Sequence, residues 1–103
     1  MSNYTKNYDW ILKTFKAVME KQESLGITLR EAGPIDEKTS QLMQLGAAAA
    51  MRSEGAVHSH VKRALKAGAA PEEIYHAIIL LISTIGFPAT AAALSWAREI
   101  IEA

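Results

Sequence analysis

Glycine and proline cut this chain into lengths that suit helices. Gly26, Gly33-Pro34, Gly68, Pro71, Gly86 and Pro88 fall between stretches in which apolar side chains recur at steps of three and four. Tyr8, Ile11, Leu12, Phe15, Val18, Met19, Gln22 and Leu25 set one stripe on a first helix from about Asn3 to Leu25, with Gly26 as its stop. Ile27 to Ile35 lacks clean periodicity and reads as a connector. No alternating β-branched run or Asn-Gly turn competes with helix anywhere in the sequence.

The helix starts downstream carry chemical signatures. Asp36 offers a carboxylate as N-cap, with Glu37 favourable in the first turn of a helix reaching about Met51. The run Ala47 to Ala50 gives that helix high propensity and small side chains, so neighbours can approach closely. Ser53 caps the next helix, which places Val57, Val61, Ala64 and Leu65 inward and stops at Gly68. Pro71 with Glu72 and Glu73 opens a fourth helix through Ile74, Ala77, Ile78, Leu81, Ile82 and Ile85, whose wide apolar face predicts a central position. Gly86 ends it, and Pro88 enters the first turn of a last helix past Leu94, Trp96, Ile100 and Ile101. The expected fold is therefore all-α: one domain, residues 1–103, built as a compact bundle of about five helices.

Composition narrows the function classes. Eleven basic and eleven acidic residues cancel, so no general field draws in phosphate backbones or anionic lipid, and neither nucleic acid nor membrane is an expected partner. Cysteine is absent, which removes disulfides, thiolate nucleophiles and thiolate metal ligands from this chain. The first twenty residues hold no continuous apolar run of the kind an export signal needs, and the densest apolar window, Ile74 to Leu94, is broken by Gly86-Phe87-Pro88. A cytoplasmic location is the default expectation.

The segment from Ser53 to Gly68 carries the chemistry. At about 100° per residue, Ser53, Ala56 and His60 share a narrow arc of one helix. His60-Val61-Lys62-Arg63-Ala64-Leu65-Lys66-Ala67-Gly68-Ala69, Pro71-Glu72-Glu73-Ile74 and Gly86-Phe87-Pro88-Ala89 together resemble the carboxymuconolactone decarboxylase and alkylhydroperoxidase D-like family over residues 35–93. Redox members of that family carry two cysteines three residues apart and a histidine four residues later, so the resemblance puts Ser53 and Ala56 at the cysteine positions and His60 at the histidine. Lys38-Thr39-Ser40-Gln41-Leu42 resembles the segment that bears the family's relay glutamate, with Gln41 in its place. Serine and alanine cannot supply a thiolate, and an amide cannot shuttle a proton, so the family's peroxidase (peroxiredoxin-like) cycle is not expected here.

The resemblance implies a homotrimer or homohexamer of bundles and, in its decarboxylase branch, acid–base chemistry on a small organic acid. The candidate catalytic residues are His60, Glu54, Ser53 and Gln41, with His60 as general acid or base and Glu54 as the decarboxylase branch's carboxylate. Each has a structural alternative: His60 as an inter-helix hydrogen-bonding group, and Glu54 as a first-turn charge favoured by the helix dipole. The alternative for the whole chain is a catalytically silent oligomeric scaffold or small-molecule binding protein. No cofactor is called for and no metal site is expected within the chain, because His58 and His60 point about 200° apart on a helix and His76 stands elsewhere; a ring of symmetry-related histidines between subunits is the alternative that stays open. His58 is expected at the solvent or at a subunit contact. Met43, Met51, Trp10, Trp96, Phe87 and Tyr75 read as core, with pocket lining as the alternative, and Lys62, Arg63 and Lys66 as a solvated face, with attraction of an anionic substrate as the alternative.

Overall fold

The structure, a computed structural model, describes the backbone from residue 3 to residue 103 and side chains from residue 6 onward. The described residues contain helices and turns and no strand: α1 (Asn3–Thr14), α2 (Lys16–Glu31), α3 (Glu37–Ala50), α4 (Glu54–Lys66), α5 (Pro71–Ile79), α6 (Ile82–Ile85) and α7 (Phe87–Ile101). They form two compact units that meet in sequence between Ile35 and Asp36.

The first unit is α1 and α2, where sequence periodicity predicts one helix to Leu25. Phe15 leaves helical geometry at φ −122° and ψ 52°, although its N–H still reaches the Ile11 carbonyl at 2.8 Å, so the ladder bends there without a proline or glycine. Its ring meets Trp10 edge to face, with centroids 5.9 Å apart. Gly26 is not a stop. It lies inside α2 without a positive φ, and the helix runs on through much of the expected connector to Glu31. The apolar stripe is real as a pattern, yet α2 buries none of its residues, and Trp10, Phe15, Val18, Leu25 and Leu29 are exposed.

The second unit holds a continuous core. Leu45, Ala48 and Ala49 of α3, Val57, Val61 and Ala64 of α4, Ile74 and Ile78 of α5, and Ala93 and Ala97 of α7 are all buried in one cluster. Ala89, Ala93 and Ala97 repeat every four residues, a low ridge that lets α4 and α5 close on α7. The three expected caps form. Asp36 Oδ1 accepts the Thr39 N–H at 2.8 Å, Ser53 Oγ accepts the Ala56 N–H at 3.3 Å, and Gly68 takes φ 98° while Ala69 N–H reaches the Ala64 carbonyl at 2.9 Å.

The expected fourth helix, through Ile85, is two helices, α5 and α6. Its ladder slips at Leu80–Leu81, where Leu81 N–H bonds the Ile78 carbonyl three residues back, and α6 starts afresh. Ile74 and Ile78 are buried, but Ile79, Leu80 and Ile82 are exposed, so the wide apolar face is only partly covered. Met43, Met51, Trp10 and Phe87 are exposed as well, whereas Tyr75 and Trp96 pack against the core as expected. An apolar residue at helical spacing states a preference for burial, and the available core decides which positions obtain it.

Candidate active site

The turn between α3 and α4 sets the register of the site. Arg52 adopts φ 55°, and around it the Arg52 N–H bonds the Ala49 carbonyl and the Ser53 N–H bonds the Ala48 carbonyl, at 3.0 and 3.1 Å. This pair of bonds is a Schellman closure with arginine in the position that usually takes glycine. Gln41 lies seven residues before Ala48, and His60 lies seven residues after Ser53. Seven residues are close to two full turns, so two antiparallel helices pinned at Ala48 and Ser53 carry Gln41 and His60 level with each other and on facing sides.

The structure places them in contact: His60 Nδ1 is 2.9 Å from Gln41 Oε1. Gln41 is fully buried, unusual for an amide side chain, and its Nε2 donates to Glu37 Oε1 at 2.9 Å one turn back on α3. No buried side-chain nitrogen or oxygen among the described residues lacks a partner, so the buried amide is satisfied at both ends. Donor and acceptor roles follow along the chain of groups. A carboxylate accepts only, so Gln41 turns its NH2 to Glu37, and its carbonyl, which also accepts only, faces the histidine. His60 Nδ1 therefore carries a hydrogen, and the lone pair of the neutral ring sits on Nε2.

Of the four candidates, His60 and Gln41 come together, and Ser53 and Glu54 stand apart at the start of α4. Ser53 uses its hydroxyl oxygen as the helix cap, and Glu54 occupies the first turn where the dipole favours a carboxylate. Among the described residues no hydrogen bond joins either one to the Gln41–His60 pair. Glu37 is the residue that sequence reasoning passed over, reading it as a first-turn charge alone. The available signal was its spacing of four from Gln41 on one helix.

The other histidines serve elsewhere. His58 is half-buried and pairs with Glu99 of α7 at 3.1 Å, so its ring is not simply solvent-facing. His76 is exposed. Around Glu99 a shallow open groove is lined by Ser95, Arg98, Glu102 and Ala103. Beside it, burial and the neighbouring Glu102 carboxylate push the Tyr75 hydroxyl up, while the Arg98 guanidinium, 2.7 Å away, holds Glu102 below the usual carboxylate range. Glu73 is also held low, first by the Ala70 N–H it accepts at 2.9 Å and then by Lys38 at 3.0 Å. Among the described residues no three histidine, aspartate or glutamate side chains are arranged to hold a metal ion, and no helix is long and apolar enough to cross a membrane.

The sequence profile of the carboxymuconolactone decarboxylase family matches residues 14–99. The chain belongs to that family. The match extends beyond residues 35–93, reaching back into α1 and forward to Glu99. A solved structure of a carboxymuconolactone decarboxylase family protein from Legionella pneumophila, in its apo form, superposes with a TM-score of 0.76 at 24% identity, over 93% of this chain and 88% of that one. At that identity the likeness establishes the family fold alone. None of the curated proteins matches the chain in sequence. This chain is a cysteine-free member, so a family chemistry that depends on thiolates has no residue to run on.

Proposed function

We propose that this family member is an acid–base catalyst acting on a small organic acid in the manner of a decarboxylase-like lyase, with His60 as its proton-transferring group. The observation that carries this reading is the 2.9 Å bond between His60 Nδ1 and the carbonyl of the fully buried Gln41. An imidazole oriented through Nδ1 acts through Nε2, and the Gln41 carbonyl stabilises the imidazolium form by accepting its Nδ1–H. In the reaction class proposed, the bond from carbon to the carboxylate breaks and its electron pair stays on carbon, delocalised into an adjoining carbonyl of the substrate. The imidazolium Nε2–H then delivers its proton to that carbon, and solvent returns the proton to Nε2. Gln41 is a positioning residue in this scheme, and a cytoplasmic setting suits it.

Screening small organic acids for thermal stabilisation finds the ligand class, and carbon dioxide release measures turnover. His60→Gln is expected to abolish turnover while the melting curve and far-UV spectrum persist. Full turnover in that variant sinks the proposal. Peroxide consumption with a thiol donor is expected at background level, since no cysteine is present.

A second reading, an oligomeric scaffold or binding module, draws support from the exposed stripe on α2. Val18, Leu25 and Leu29 are 61%, 55% and 65% exposed, and such a face is usually covered by a partner. We infer that a second copy of this chain is that partner, in a homotrimer or homohexamer. Sedimentation of the native chain against a Leu25→Glu, Leu29→Glu double variant tests it: a multimer that the variant dissociates is expected, and a monomeric native chain overturns it.

A further inference from the structure

We propose that Glu37 is the positioning residue that selects the His60 tautomer, acting through the Gln41 amide. This rests on the reading of His60 as the proton-transferring group, yet it concerns the resting protein. An amide has two nearly isosteric ends, and a buried glutamine beside a histidine can present either one. With its carbonyl toward the ring it demands hydrogen on Nδ1; with its NH2 toward the ring it demands a bare Nδ1 and moves the hydrogen to Nε2. The two arrangements put the basic nitrogen on opposite sides of the imidazole. Something must choose between them.

The choice is made one turn before Gln41. Glu37 Oε1 accepts from Gln41 Nε2 at 2.9 Å, and turning the amide over would set a carbonyl oxygen against a carboxylate oxygen at that distance. A hydrogen bond to a charged group is also stronger than a neutral one, so Glu37 outweighs the ring's own preference. Gln41 is held at both ends and fully buried, and the backbone carbonyl and hydroxyl of Ser40 on the same helix are taken by Gln44. The fixed spacing of four residues keeps Glu37 over Gln41 wherever α3 is intact. The carboxylate of this histidine–amide pair stands one helical turn before Gln41 and acts on the ring through the amide.

Nitrogen-15 correlation spectra of the histidine ring, recorded on the full chain without ligand at alkaline pH, read the tautomer directly. The native chain is expected to show a protonated Nδ1 and a pyridine-like Nε2. Glu37→Met is expected to raise the Nε2–H share about tenfold, the size of effect that a hydrogen bond to a charged group carries. Glu37→Gln offers Gln41 either end of its own amide and removes the charge, so it is expected to give an Nε2–H share between those of the native chain and Glu37→Met, and a share equal to the native one overturns the proposal. Glu37 is exposed and outside the core, and the His58 ring signals serve as an internal control of fold. Native His60 found mainly with hydrogen on Nε2, or a ratio unmoved by Glu37→Met, overturns the proposal. If the tautomers behave as stated while no organic acid turns over, the catalytic reading fails and the positioning role stands. Lost turnover in His60→Gln with an unmoved tautomer ratio gives the reverse.

Discussion

Replacing Gln41 with methionine isolates the energetics of the buried pair. The side chain keeps nearly its length and volume, so no large cavity forms, but two hydrogen bonds of 2.9 Å disappear from a position with no solvent exposure. The two former partners are affected differently. Glu37 is exposed and recovers its bond from water, whereas His60 is half-buried and its Nδ1–H loses an acceptor that solvent replaces poorly. A net hydrogen bond contributes about 1 kcal/mol, and a donor left wanting inside the protein costs about 1–3 kcal/mol. Relief from burying an amide offsets part of this, leaving a loss of about 1–2 kcal/mol. In a folding unit of this size that lowers Tm by about 4–16 °C. Urea unfolding should show a lower midpoint with an unchanged slope. Gln44→Met is the control: Gln44 bonds only Ser40 within its own helix, and a change within about 0.5 kcal/mol is expected. A Gln41→Met chain as stable as the native one refutes the reasoning, because the pair would then contribute no more than its apolar replacement.

Three further outcomes follow from the backbone and the caps. Gly86 combines φ 87° with ψ 165°, a region open essentially to glycine, and a Cβ there meets only Pro88 at 3.9 Å; Gly86→Ala should therefore cost about 1–3 kcal/mol through strain alone, checked by urea unfolding. Arg52 at φ 55° carries the opposite potential, and Arg52→Gly should stabilise by about 0.5–1 kcal/mol, visible as a higher Tm, with a loss of stability refuting the αL assignment. The Asp36 carboxyl is held below its ordinary 3.8 by the Thr39 hydrogen bonds. A depressed folded value means stability present in full above the ordinary value and lost as pH falls through the lower one, so acid melts of native and Asp36→Asn chains should differ near neutrality and converge in strong acid.

Much of the second unit was legible because its punctuation is local chemistry. Asp36 and Ser53 cap helices wherever the next residues are helical, and Gly68 and Gly86 take positive φ at no steric cost, so four boundaries stood in the sequence. The bends at Phe15 and Leu80 were not legible, since each lies in a run of residues with helical spacing and no breaker. Arg52 was equally hidden, because arginine does not advertise a left-handed turn. Periodicity likewise named Val57 and Val61 for the core correctly, and Met43 and Phe87 incorrectly, since it ranks preferences without knowing how much core there is to fill.

The residues that matter chemically divide the same way. Sequence alone pointed to an all-α chain of this family, without cysteine, in which His60 was the ionisable group left in the family frame and Glu54, Ser53 and Gln41 were the other candidates. Only the tertiary structure decided that His60 and Gln41 touch, that Gln41 is sealed from water, and that Glu37 holds it from the far side. The physical reason is the α3–α4 turn. A hydrogen bond between Ala48 and Ser53 fixes the register of two helices, and a contact between residues nineteen positions apart exists only in that register.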